Sequence, residues 1–146
     1  MIALTIVIGG LLGIFTLTSR SVSLNQVITS QYVGSNLAAE GVEIVKNIID
    51  RNVLQGRPWN EGIVSGDYEV DYSSRSLNPY TGRTMLLDVA SGLYQYSVGN
   101  PTTFLRKITL SAVSADEILA RSYVSWTTRD GAQFNVDLED HFFNWR

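Results

Sequence analysis

The sequence contains no cysteine, so neither a disulfide framework nor a thiolate metal site can hold this protein together. The lack of cysteine also excludes a Cys/His dyad, and the single histidine, His141, leaves a Ser-His-Asp arrangement only one possible base. His141 lies beside Asp140 in an aromatic tail, where a histidine next to a carboxylate is more often incidental, so no catalytic residue is assigned. Proline is scarce and is absent before Pro58. Charge is scarce as well, at 17% of residues against about 25% in ordinary soluble domains. No basic excess exists: the net charge is -3, and it belongs to the part after Leu54, because Arg20, Lys46 and Arg51 balance Glu40, Glu43 and Asp50. Nucleic-acid binding by phosphate neutralisation is therefore not expected. No phosphate loop or dinucleotide fingerprint occurs, since Gly9, Gly10 and Gly13 lie in an apolar run with no strand before it. No cofactor is assigned.

The opening MIALTIVIGGLLGIFTLTSR has no ionisable side chain before Arg20. It lacks the basic flank of a secretory signal. As a helix, its roughly eighteen uncharged residues reach about 27 Å, slightly short of the ~30 Å hydrocarbon core. This start reads as a membrane span that lacks its first residues. A buried core helix is the alternative, and the continuation opposes it, because helix-compatible spacing runs on to about Val53. Leu37, Ala38, Gly41, Val42, Ile44, Val45, Ile48 and Ile49 recur at steps of three and four, with Glu40, Glu43, Lys46, Asn47 and Asp50 on the other side. Gly34-Ser35-Asn36 reads as a weak point in this helix and not as a break.

Beyond Leu54 the period changes to alternation. QGRPWNEG (55–62) is a loop, and YEVDY (68–72) reads as a half-buried strand. The turn-rich stretch 73–83 reads as an exposed loop. TMLLDV (84–89) and LYQYSV (93–98) form an expected hairpin around Ala90-Ser91-Gly92. TFLRKITLSAV (103–113) puts Phe104, Ile108 and Leu110 on one face together with Arg106. EILARSYVSWT (117–127) and FNVDL (134–138) follow across the turn signal Asp130-Gly131. Ile118, Ala120, Val124, Trp126, Phe134, Val136 and Leu138 would face the helix, and the tail HFFNWR would dock on the sheet or the helix.

The expected class is α+β: a long N-terminal α-helix, apolar in its first third, packed by its C-terminal half on an antiparallel sheet of about four to six strands. The expected head core includes Val42, Val45, Ile49, Ile108, Leu110, Val124, Trp126, Val136 and Trp145. Residues 1–20 would form a membrane or filament-core segment, and 21–146 a head able to fold alone. Asp67, Glu69 and Asp71 alternate on one strand, with Asp88, Asp137 and Glu139 as possible neighbours. A calcium ion needs six to eight oxygens. Solvent-facing strand carboxylates account for the same pattern, and no metal is assigned.

These residues resemble a known family. Ile2-Ala3-Leu4-Thr5-Ile6-Val7 with Gly9-Gly10-Leu11-Leu12-Gly13 is similar to the apolar N-terminal helix of type IV pilins and pseudopilins, in particular the minor-pilin-like proteins. The stretch from Ala38 to Ile48 resembles the lower helix of that group. Thr103 to Thr109, Val124-Ser125-Trp126 and Asn144-Trp145 resemble its strands and C-terminus. The family's processing glycine and the glutamate that follows it would lie upstream of Ile2, which sets Met1 about half a dozen residues into the mature chain. Gly13-Ile14-Phe15-Thr16-Leu17 only mimics that motif.

The resemblance implies a structural subunit, anchored in the cytoplasmic membrane by a single pass and then assembled into an extracellular or periplasmic filament. Its implied partners are other pilin-like subunits, membrane lipid before assembly, and an assembly machinery. Ile2, Leu4, Val7, Gly9, Gly10, Leu11, Gly13, Ile14 and Phe15 would pack the filament core. The glycines would be sites of close approach, or simply tolerated in a membrane helix. The alternatives are a single-pass anchored extracytoplasmic domain that binds a ligand through 73–83 and does not polymerise, and a membrane-anchored enzyme.

Overall fold

The computed structural model describes residues 2–144; within the helix before Asn25 it describes the side chains of Val7, Leu11, Leu12, Ile14, Phe15 and Thr16, and the surroundings of Gly10. Helix α1 runs Ile2–Leu54. Compactness divides the chain into Met1–Val33 and Gly34–Arg146, and α1 contributes to both units.

In the second unit, Leu37, Ala38, Val42, Val45, Ile48 and Ile49 are buried, as the spacing of three and four requires. Two glycines allow the helix to lie close on the sheet. A Cβ at Gly34 would stand 2.8 Å from Cη2 of Trp126, and one at Gly41 would stand 2.7 Å from Cδ1 of Ile108. The apparent weak point at Gly34 is therefore the seat of the Trp126 ring. The helix stops where Gly56 adopts a left-handed conformation (φ 69) and the amides of Gln55 and Arg57 bond back to Arg51 and Asn52. The Asn52 side-chain amide then donates to the carbonyls of Trp59 and Glu61, which holds the following loop.

Among the described residues eight strands follow, all paired antiparallel. They are β1 (Gly66–Glu69), β2 (Asn78–Pro79), β3 (Leu86–Asp88), β4 (Leu93–Gln95), β5 (Asn100–Pro101), β6 (Leu105–Ser114), β7 (Glu117–Thr127) and β8 (Gln133–Phe143). The larger sheet has the order β2-β1-β6-β7-β8 and the smaller one β4-β3-β5. Ile108, Leu110, Ile118, Ala120, Val124 and Trp126 are buried on the face that meets α1.

The expected fold class is corrected on two points. The β region is not one sheet of four to six strands but two antiparallel sheets, of five and three strands. Among the described residues no helix is long and apolar enough to cross a membrane. The stretch NQVITSQYV from Asn25 to Val33 shows why the apolar run does not extend: its polar side chains outnumber what a span of roughly 20 predominantly apolar residues tolerates. The second sheet exists because the excursion after Thr84 closes on itself. The Met85 amide donates to the Phe104 carbonyl (2.8 Å) and the Thr102 amide to the Met85 carbonyl (3.2 Å), so the pairing is complete before β6 begins.

Local boundaries differ for similar reasons. The strand expected over 68–72 ends at Glu69, because the Val70 carbonyl accepts from Arg106 and the Asp71 carboxylate from the Tyr96 amide. The loop 73–83 contains β2, paired Tyr68↔Pro79. The short strand expected over 134–138 reaches Phe143, in register with β7 from Thr127↔Gln133 to Glu117↔Phe143. That extension docks the tail as far as Phe142, which packs on the core.

Candidate functional site

The first unit offers a row of exposed apolar side chains on α1. Val7, Leu11, Ile14 and Phe15 recur at helical steps of four, three and one, and they are 54–72% exposed, with Leu12 exposed beside them. Ile28 and Tyr32 repeat the step of four and are similarly exposed. Ile28 and Tyr32 fall in the heptad register of Val7, Leu11 and Ile14, but the register positions between them are Thr18, Ser21 and Asn25, so the apolar row is interrupted there. Around Gly10 nothing stands within 4 Å of a Cβ. For Ile2, Leu4, Gly9 and Gly13, also expected in this packing surface, only the helical backbone is described, and Trp145 lies outside the described residues.

In the second unit the expected core positions Val42, Val45, Ile49, Ile108, Leu110, Val124 and Trp126 are buried, and Val136 is half-buried. Phe134 is half-buried against Trp126 (ring centroids 5.9 Å), while Leu138, expected to face the helix, is 39% exposed because β8 is the sheet's edge.

Two clefts flank the end of α1 and share Asp50. One, of about 590 Å³, lies between Ile49, Val53, the loop Gly56–Trp59 and the sheet end at Phe143 and Asn144. The other, of about 460 Å³, lies between Ile44, Asn47, Arg51, Leu54, Tyr72 and Ser74. Neither brings a nucleophile to a base. Arg57 is paired with Glu61 at 2.7 Å, and the Ser74 hydroxyl is engaged by Asp71.

The carboxylates singled out as a calcium candidate are separated and individually satisfied. Asp67 accepts from the Thr109 hydroxyl and from Lys107 (3.3 Å), and these two hold its carboxyl below the usual range. Glu69 and Asp71 are buried, against the expectation of solvent-facing strand carboxylates. Glu69 accepts from Arg83 Nε (2.8 Å) and from the Thr81 hydroxyl (2.9 Å). Burial alone would raise the Asp71 carboxyl, yet hydrogen bonds from Ser73, the Tyr96 amide and Ser74 outweigh it and leave it lowered. Asp88 caps the β3–β4 turn through the Ala90 amide (3.0 Å) and the Ser91 hydroxyl (2.7 Å). Asp137 and Glu139 pair with Arg121, which holds the Asp137 carboxyl low. Among the described residues no group of three or more His, Asp or Glu is arranged to hold a metal. His141 stands with Nδ1 2.7 Å from Glu117 Oε1, its ring stacked on Phe143.

The loop 73–83, the alternative ligand site, is pinned rather than free: Thr81 and Arg83 are tied to Glu69, Arg83 stacks over the Tyr96 ring at 4.7 Å, and Arg75 gives its carbonyl to Arg51. The polar feature that sequence reasoning missed is the buried Arg106. Its guanidinium donates to the Leu37 carbonyl (2.9 Å), to the Val70 carbonyl and to Glu40 (3.3 Å), joining α1 to β6 and the end of β1. Tyr96, whose hydroxyl donates to the Arg106 carbonyl, has its phenol pushed up to about 12, chiefly by burial. The available signal was the position of Arg106, on the same face as Phe104 and Ile108. No protein-family model, no curated protein and no solved structure matches the chain.

Proposed function

We propose that this chain is a structural subunit of a filament of the type IV pilus or pseudopilus kind, assembled on the outer side of the cytoplasmic membrane. In it, α1 packs against the same helix of other subunits. The observation that carries the reading is the exposed row Val7, Leu11, Ile14 and Phe15. Large aliphatic and aromatic side chains in such a row are stable when covered, and each fully buried one contributes about 1.5–3 kcal/mol. Among the described residues no helix is long and apolar enough to cross a membrane, and neighbouring subunits are the cover this reading assigns to the row. The resemblance of the opening residues to pilin helices supports the same assignment. Chemistry is not required of such a subunit.

The test is a pair of cysteine variants, Val7→Cys and Leu11→Cys, oxidised in sheared extracellular material. A ladder of crosslinked species is expected. Monomers alone, in every fraction, would refute the assignment.

A further inference from the structure

The strand β8 (Gln133–Phe143) closes one side of the larger sheet and is paired with β7 along its whole length without a bulge. Which of its backbone groups face outward follows from the ends of the ladder. The Thr128 amide bonds the Ala132 carbonyl and the Asn144 amide bonds the Asp116 carbonyl, so even-numbered positions of β8 face β7. The odd-numbered ones turn to the open side. At His141 the outward amide is already taken by the Asp140 carboxylate (2.8 Å), whereas Asn135, Asp137 and Glu139 present theirs outward.

The other sheet edges are guarded in the usual ways. β2 and β5 have two residues each and end in Pro79 and Pro101, and β4 has three residues. β8 has eleven residues, no proline, no glycine and no lysine. Its two faces are also incomplete. On the α1 side, Phe134 and Val136 are half-buried and Leu138 is 39% exposed, an apolar row that ends at open space. On the opposite side, Asp137 and Glu139 share one cation, Arg121. β8 itself carries Asp137, Glu139 and Asp140 and no lysine or arginine.

We propose that the open edge of β8 is a strand-addition site for an extended segment of another protein, one that alternates apolar with lysine or arginine side chains. Such a strand takes up the outward amides of Asn135, Asp137 and Glu139 with its own backbone. Its apolar residues extend the row of Phe134, Val136 and Leu138, and its cations meet Asp137 and Glu139 as cross-strand neighbours. A second copy of β8 is a poor occupant, because antiparallel self-pairing would bring these acidic positions together. The proposal does not depend on the filament reading, since it concerns the head alone.

The probe is a nine-residue peptide alternating lysine and valine, titrated into the full chain, with a glutamate–valine peptide as control. Amide exchange and chemical shifts are read residue by residue. Slowed exchange confined to the amides of Asn135, Asp137 and Glu139 is expected, with the glutamate peptide binding at least about tenfold more weakly. Asn135→Pro removes one outward donor and no ladder bond, and should weaken the lysine peptide about fivefold. Glu139→Lys, which keeps the backbone intact, should reverse the preference between the peptides. Equal binding of both peptides, protection elsewhere, or self-association of the chain through β8 would overturn the proposal.

Discussion

The close approach of α1 to the sheet at Gly41 makes a quantitative prediction. In an exposed helix, replacing glycine by alanine gains about 1 kcal/mol. At Gly41 the new methyl group would stand 2.7 Å from Ile108 Cδ1 and 3.3 Å from Arg106 Cδ, and it would overlap the Ser122 hydroxyl. Overpacking of this kind costs about 1–3 kcal/mol. The Arg106 side cannot yield easily, because the guanidinium is held by carbonyls from two other segments. Gly41→Ala should therefore lower stability by up to about 2 kcal/mol, the packing cost less the helical gain. Ser122 permits a sharper test. Its buried hydroxyl has no hydrogen-bond partner among the described residues, so Ser122→Ala alone should be neutral or stabilise by about 1 kcal/mol. Combined with Gly41→Ala it should recover part of the loss, giving a coupling of about 1 kcal/mol. Urea unfolding followed by tryptophan fluorescence measures all three variants. A rise of about 1 kcal/mol for Gly41→Ala alone, the value of helix propensity without a packing term, would refute the close approach.

Two further predictions concern the polar groups beneath the sheet. Arg106→Met should cost about 1–3 kcal/mol, because it strands the Val70 carbonyl and leaves Glu40 without its partner, and an unchanged urea midpoint would contradict this. The Asp71 carboxyl is lowered in the folded state, so its contribution is present above the unfolded value of about 3.9 and is lost as the pH falls through the lower folded one. Stability should decline below about pH 4, and Asp71→Asn should flatten that decline in acid-unfolding curves while losing stability at neutral pH. Parallel acid curves for the two proteins would show that Asp71 takes no part.

Much of the head was legible because its periods are unambiguous. Strands β6 and β7 show a clean alternation, with Ile108, Leu110, Ala120 and Val124 buried and Lys107, Thr109 and Arg121 turned the other way. The Asp130-Gly131 turn is where the sequence signals it, with φ 84 at the glycine. The two-residue strands β2 and β5 carry no period at all, since each is defined only by the strand it meets. The carboxylates misled for a related reason. Glu69 and Asp71 alternate as solvent-facing residues would, but the excursion from Tyr80 to Thr102 folds over them and supplies Arg83, Thr81 and the Tyr96 amide. Nothing local in YEVDY encodes that cover.

What the sequence determined by itself was therefore local: the helical run to Leu54, the stop at Gly56 and Pro58, the alternation of the long strands, and the absence of thiol and multi-histidine chemistry. Each follows from side-chain period, from backbone permission, or from which residue types are present. The tertiary structure decided which polar residues are inside, why Gly34 and Gly41 are glycines, that the strands divide into two sheets, and that β8 is left as a long open edge. Those outcomes depend on contacts between segments distant in the chain, where one partner supplies the donor, the ring or the missing neighbour that the other requires.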